Sequence, residues 1–195
     1  MNLTIPNLLS ILRMGLIPWF AISVIDGDAT RALWIFAIAG VTDALDGFIA
    51  RFWRQQSALG AYLDPLADKL LLVTAYVMLA IPNLRLGLVI PAWVTALVIT
   101  RDVVIVVVAL VMHLAVGISR FPPSPLSKIN TAAQLLAIVG VLLSSRSSVF
   151  EAIAGFLVLL VAALTIGSGI EYIYRANRMA ARGADVVGID LSEKP

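Results

Sequence analysis

Six predominantly apolar stretches, each long enough as a helix to cross a hydrocarbon layer, follow one another along this chain with only short polar breaks between them. A layer about 30 Å thick takes about 20 helical residues, and segments of that order fall at residues 8–25, 32–53, 62–81, 88–116, 126–143 and 150–174. The breaks are rich in Gly, Pro, Ser, Asp and Arg, which end helices and make turns. Composition agrees, with 61% apolar and 13% charged residues, against about 45–50% and 25% in a soluble globule. Lipid is therefore the favourable solvent for most of the surface. The pattern predicts an all-α integral membrane protein, a six-transmembrane-helix bundle over residues 1–176 followed by a polar C-terminal tail at 177–195. The first stretch carries Arg13 and is followed by no small-residue cleavage site, so it reads as a retained helix rather than a signal peptide.

Basic residues orient the bundle, because Lys and Arg collect on the cytoplasmic side. Numbering the connections puts Arg51, Arg54, Arg120, Lys128, Arg175, Arg178, Arg182 and Lys194 on one side, and Arg31, Arg85 and Arg146 on the other. Both termini and the connection between the second and third spans are thus expected to face the cytoplasm, in a multi-pass integral membrane protein.

Several chemistries are excluded. The chain has no cysteine, hence no disulfide framework, thiolate metal site or thiol nucleophile. Its single histidine, His113, lies in an apolar run near Gly117 and reads as interfacial, so a histidine-based zinc site is out. A net charge of +2 with dispersed basic residues gives no footprint for nucleic acid. Trp19, Trp34, Trp53 and Trp93 read as interfacial belt or packing residues. Arg13 is expected to snorkel to the interface, with reception of an anionic lipid as the alternative, and Glu171 is expected to be structural.

The acidic residues are harder to accommodate. Asp43 and Asp46 lie in the second apolar stretch, Asp64 and Asp68 at the start of the third. An ionised carboxylate at depth costs about 2.5–3.5 kcal/mol on insertion scales, so four cost very roughly 10–14 kcal/mol if nothing compensates them. Residues three or four apart share a helix face, so each pair projects together. The connection from about Trp53 to Ala61 is short enough to make the two helices antiparallel neighbours, which brings the carboxylates to one volume near the cytoplasmic boundary. Like charges so close repel strongly, so either their pKa values rise or cations neutralise them. Oxygen-only ligands suit Mg²⁺ or Mn²⁺, and two such ions serve displacement at phosphorus. Gly47 and Gly60 thin the helices where a ligand could approach, Ala50 keeps the next turn small, and Arg51 offers a forked donor for phosphate.

Written out, the pattern is Asp43-x-x-Asp46-Gly47-x-x-Ala50-Arg51, then residues 52–59, then Gly60-x-x-x-Asp64-x-x-x-Asp68. It resembles the signature of the CDP-alcohol phosphatidyltransferase family at every fixed position, and the six spans extend the resemblance over nearly the whole chain. The resemblance implies a metal-dependent enzyme that transfers a phosphatidyl group from CDP-diacylglycerol to an alcohol and releases CMP, in a bundle with a cytoplasm-facing cavity and a lateral opening for acyl chains. It implies Asp43, Asp46, Asp64 and Asp68 as ligands of two divalent ions, Mg²⁺ or Mn²⁺. Asp68 is also implied as the general base, which requires it to be only partly coordinated. Gly47, Ala50, Arg51 and Gly60 match positions that accommodate the CDP part of the donor, and a homodimer is compatible with the family.

The acceptor is read less directly. Thr4-Ile5-Pro6-Asn7-Leu8-Leu9-Ser10, Leu63-Asp64-Pro65-Leu66-Ala67-Asp68-Lys69 and Lys128-Ile129-Asn130-Thr131-Ala132-Ala133-Gln134 resemble the glycerol branch of the family. Thr100-Arg101-Asp102-Val103 is similar to the cardiolipin synthases, which take phosphatidylglycerol, since phosphatidylglycerophosphate synthases usually place Glu where Asp102 stands. Chain length and Ser168-Gly169-x-Glu171-Tyr172 are similar to the phosphatidylglycerophosphate synthases, which take sn-glycerol 3-phosphate; this acceptor is the one expected, not from the residues but because a bacterial membrane usually requires that step. Arg101 and Lys128 are the candidate acceptor-binding cations. A structural Arg101–Asp102 pair and interfacial anchoring by Lys128 are the alternatives. A cation transporter would also need buried carboxylates but leaves Gly47, Ala50, Arg51 and Gly60 unexplained. A metal-dependent lipid phosphatase would release inorganic phosphate instead of CMP.

Overall fold

The computed structural model describes residues 5–52, 60–82, 86–116 and 124–187, with side chains described except at 5–7, 44, 46–52, 60–65, 109, 110, 112–116 and 176–187. These residues form six α-helices: α1 (Ile5–Ile25), α2 (Ala29–Phe52), α3 (Gly60–Leu79), α4 (Ala92–Val116), α5 (Pro125–Leu143) and α6 (Ser148–Val187). Each expected apolar stretch corresponds to one helix. α6 is the longest because it continues past the apolar run to Val187, so the beginning of the polar tail is helical.

Local chemistry fixes the turns. After α1 the chain enters the left-handed region at Gly27, φ 74°, while Gly27 N–H donates to Val24 O and Asp28 N–H to Ser23 O, both at 3.0 Å. This pair of reversed bonds satisfies the last carbonyls of α1. Asp28 then caps α2, its Oδ1 accepting from Arg31 N–H at 2.9 Å. α5 starts at Ser124, whose Oγ accepts from Ser127 N–H at 3.0 Å, with Pro125 in the first helical turn. Gly87 is also left-handed, φ 85°, and a Cβ there would lie 2.7 Å from Ser144 Oγ. That approach lets the Leu88 N–H donate to Ser144 Oγ at 2.9 Å, tying the α3–α4 connection to the end of α5.

α1 packs against both α2 and α3, α5 packs most extensively on α6, and α4 lies on α6. Sequence reasoning made α2 and α3 direct neighbours; among the described residues their main common partner is α1 instead. Burial is distributed as lipid demands. On α1 the inward stripe is Ser10, Arg13, Leu16, Phe20, Ser23 and Val24, whereas Leu12, Trp19, Ile22 and Ile25 point outward. Trp34 and Trp93 are likewise exposed, as interfacial residues would be; Trp53 lies outside the described residues. Small residues such as Ala32, Ala39, Ala75, Ala137 and Ala154 fill the contacts, allowing the close helix approach on which association in lipid depends. Among the described residues three helices are long and apolar enough to cross a membrane, over Leu8–Ile25, Pro125–Arg146 and Ser148–Arg175.

Candidate active site

Asp43 stands in the C-terminal half of α2 and Asp68 two turns into α3. The two carboxylates come together beside Arg13 of α1. There they meet on one atom. Arg13 Nη1 lies 2.9 Å from Asp43 Oδ1 and also donates to Asp68 Oδ1. The Arg13 side chain is 0% exposed, while Asp43 and Asp68 keep 48% and 42% of their side-chain surface. The guanidinium therefore approaches from inside the protein, and the carboxylates open outward.

Arg13 is thus buried and ion-paired, which corrects the expectation that it snorkels. The reason is its position on the inward stripe of α1, where turning to the interface would leave Asp43 and Asp68 without their shared counter-charge. A buried arginine in an apolar helix followed by aspartates in the next two was the signal that could have identified this partner.

The other signature residues are placed only by their backbones. Asp46, Gly47, Ala50 and Arg51 lie on the last turns of α2, Gly60 is the first residue of α3, and Asp64 is one turn further; their side chains lie outside the described residues. Among the described side chains no group of three or more carboxylates or histidines forms a metal cluster. The donor chemistry that is described does fit a divalent cation, since two hard, half-exposed carboxylates already converge on a single positive centre.

A second charged cluster begins one residue further along α3. Lys69 Nζ pairs with Asp102 of α4, and Asp102 Oδ1 also receives Arg101 Nη1 at 2.9 Å. Arg101 Nη2 donates to Ser127 Oγ of α5 at 2.7 Å and Nε to Ser168 Oγ of α6 at 3.1 Å. The Arg101 and Asp102 side chains are only 7% and 12% exposed. The structural Arg101–Asp102 pair is therefore present, extended by Lys69, Ser127 and Ser168, which sequence reasoning had not connected. Lys128 is exposed in the first turn of α5, next to Ser127. Deeper in the bundle Thr165 Oγ1 donates to Asn130 Oδ1 at 3.3 Å. Glu171 pairs with Arg175 at 2.6 Å, as a structural residue would. His113 is on α4, and its side chain lies outside the described residues.

Two apolar grooves flank the second cluster. One, of about 240 Å³ between α4 and α6, has Arg101 in a wall built from residues such as Leu97, Val104, Ile166 and Ile170. The other, of about 280 Å³ along α3 and α4, runs from Lys69 and Asp102 past Val73, Val103 and Val107. Both are lined chiefly by apolar side chains, with Arg101 in the first and Lys69 and Asp102 in the second.

Comparison with known proteins agrees with this arrangement. The profile of the CDP-alcohol phosphatidyltransferase family matches residues 3–167. A human protein named cardiolipin synthase (CMP-forming) is 41% identical over 151 residues, covering 69% of this chain and 48% of the human one. A Haemophilus influenzae protein named CDP-diacylglycerol–glycerol-3-phosphate 3-phosphatidyltransferase is 38% identical over 181 residues, covering 91% of this chain and 95% of its own. The Escherichia coli K12 protein of the same name is 34% identical over 181 residues, with 91% and 97% covered. The chain spans about half the length of the human relative and nearly all of the two bacterial ones. With Asp43 and Asp68 of the signature meeting on Arg13, and the family profile running from the first helix into the sixth, the chain belongs to the CDP-alcohol phosphatidyltransferase family.

Proposed function

We propose that this protein transfers the phosphatidyl group of CDP-diacylglycerol to sn-glycerol 3-phosphate, as a phosphatidylglycerophosphate synthase of anionic phospholipid biosynthesis. The observation that carries the reading is the convergence of Asp43 from α2 and Asp68 from α3, half-exposed, on one cation. The names of the bacterial relatives aligned along 91% of the chain support the acceptor.

In this reading the acceptor hydroxyl attacks the β-phosphorus of the donor. The new O–P bond forms as the bond to the leaving phosphate breaks, CMP departs, and the hydroxyl proton passes to Asp68. Asp43, Asp46, Asp64 and Asp68 would hold two divalent ions, Mg²⁺ or Mn²⁺, which would supply charge stabilisation to the phosphate oxygens. Gly47, Ala50, Arg51 and Gly60 receive the CDP moiety. Lys128, exposed beside Ser127, receives the acceptor phosphate, and Arg101, whose donors end on Asp102, Ser127 and Ser168, holds in place the helix that carries it. The grooves on either face of α4 suit acyl chains, being lined chiefly by apolar side chains.

We further read the six helices as six spans with both termini cytoplasmic, in a bacterial inner membrane, and a homodimer as compatible with this arrangement. The absence of native cysteine makes the topology directly testable. In intact cells a membrane-impermeant thiol reagent should label Ser145→Cys and spare Gln55→Cys, and the opposite pattern would invert the orientation.

A second acceptor remains in view because the human relative named cardiolipin synthase reaches 41% identity, and Asp102 rather than Glu stands beside Arg101. Detergent-purified protein with CDP-diacylglycerol and Mg²⁺ or Mn²⁺ should yield CMP and a lipid product with sn-glycerol 3-phosphate. Product only with phosphatidylglycerol would make it a cardiolipin synthase, and release of inorganic phosphate without CMP would indicate a phosphatase.

A further inference from the structure

We propose that Arg13 is an internal rival cation: it engages the same carboxylate oxygens that a divalent ion needs, so that α1 sets how tightly the site takes metal. The inference rests on the metal reading above and concerns a residue that lies outside the Asp-rich signature.

The geometry leads to it in three steps. One guanidinium nitrogen, Nη1, reaches Oδ1 of both Asp43 and Asp68, so Arg13 holds the α2 and α3 carboxylates together rather than pairing with one of them. Its side chain is 0% exposed; held on the inward stripe of α1, it cannot exchange these partners for water without moving the helix. The carboxylates remain 48% and 42% exposed, so a metal ion reaches them from the opposite side. A cation arriving there meets a fixed positive charge a few ångströms away and must share or take over oxygens already engaged. Both effects weaken metal binding. They also keep the carboxylates from repelling one another when metal is scarce.

A purely packing role for Arg13 predicts something different. Removing a packing residue lowers stability with or without metal and leaves metal affinity unchanged or weaker. Removing a rival cation tightens metal binding, and the lost stability is returned by the metal.

The test is Mn²⁺ titration of the full chain in detergent, followed by the electron paramagnetic resonance signal of free Mn²⁺, with thermal unfolding measured alongside. Relative to wild type, Arg13→Gln should bind Mn²⁺ about tenfold more tightly. It should unfold at a lower temperature without added metal and regain wild-type stability at saturating Mn²⁺. Equal or weaker Mn²⁺ binding by Arg13→Gln, or a stability deficit that saturating Mn²⁺ leaves intact, overturns the proposal. If Arg13→Gln does not fold, Arg13→Lys decides, because an ammonium is a compact point charge that lacks the guanidinium fork. A dissociation constant about threefold lower than wild type then supports the proposal, and an unchanged one overturns it. Wild-type protein that takes up no more Mn²⁺ than Asp43→Asn refutes the metal reading itself, and the rivalry with it.

Discussion

The two charged clusters of this bundle use the same residue types and differ in which partner is enclosed. Around α1, α2 and α3 the cation is inside, Arg13 at 0%, and the carboxylates Asp43 and Asp68 are open at 48% and 42%. Around α4, α5 and α6 the pair is closed on both sides, Arg101 at 7% and Asp102 at 12%, with Lys69 at 49% on its rim. A carboxylate backed by a buried cation and facing outward can still take a ligand. An enclosed pair whose remaining donors end on Ser127 and Ser168 ties three helices together. The first arrangement suits chemistry, the second register.

The largest expected effect probes the open cluster. Asp68→Asn should lower turnover by about 10⁴-fold, in the range of a lost general base, while CDP-diacylglycerol binding stays measurable. An equal collapse from Asp102→Asn, in protein that is folded and binds donor, would erase the distinction between the clusters. Next comes the closed cluster. Arg101→Ala leaves Asp102 with Lys69 and strips both serines of their donor, so we expect about 3 kcal/mol of lost stability, read as a fall in Tm in detergent. An unchanged Tm would show that the enclosed pair does not hold α4, α5 and α6. Lys128→Ala should sharpen the comparison by separating binding from architecture: the acceptor KM rises about tenfold, with donor KM and Tm unchanged. The smallest effect belongs to Ser168→Ala, whose hydroxyl accepts from Arg101 Nε and donates to Thr165 O. Its loss should cost about 1 kcal/mol, and a larger loss would mean that the network is cooperative.

Much of this was legible in the sequence because it is local. Apolar runs of helical length, and the short breaks rich in Gly, Pro, Ser, Asp and Arg between them, mark elements through short-range sterics and hydrogen bonding. The aspartates were legible through their spacing and through the impossibility of leaving them unpaired in lipid. Beyond the adjacent Arg101–Asp102 pair, the partners of the charges were harder to read. Adjacency along the chain favoured contact between α2 and α3, whereas both pack on α1, and only that arrangement brings Arg13 to Asp43 and Asp68. Lys69 with Asp102, and Arg101 with Ser127 and Ser168, are pairings between separate helices, set by how the helices are rotated in the bundle. No run of residues encodes them.

Asp68 and Lys69 are consecutive on α3, yet one is bound into the first cluster and the other into the second. On an α-helix neighbouring residues diverge by about 100°, so α3 works as a shaft with two cams. Any rotation that shifts the carboxylate against Arg13 swings the ammonium against Asp102 through the same angle. The two halves of the bundle are thereby geared to each other through a single peptide unit.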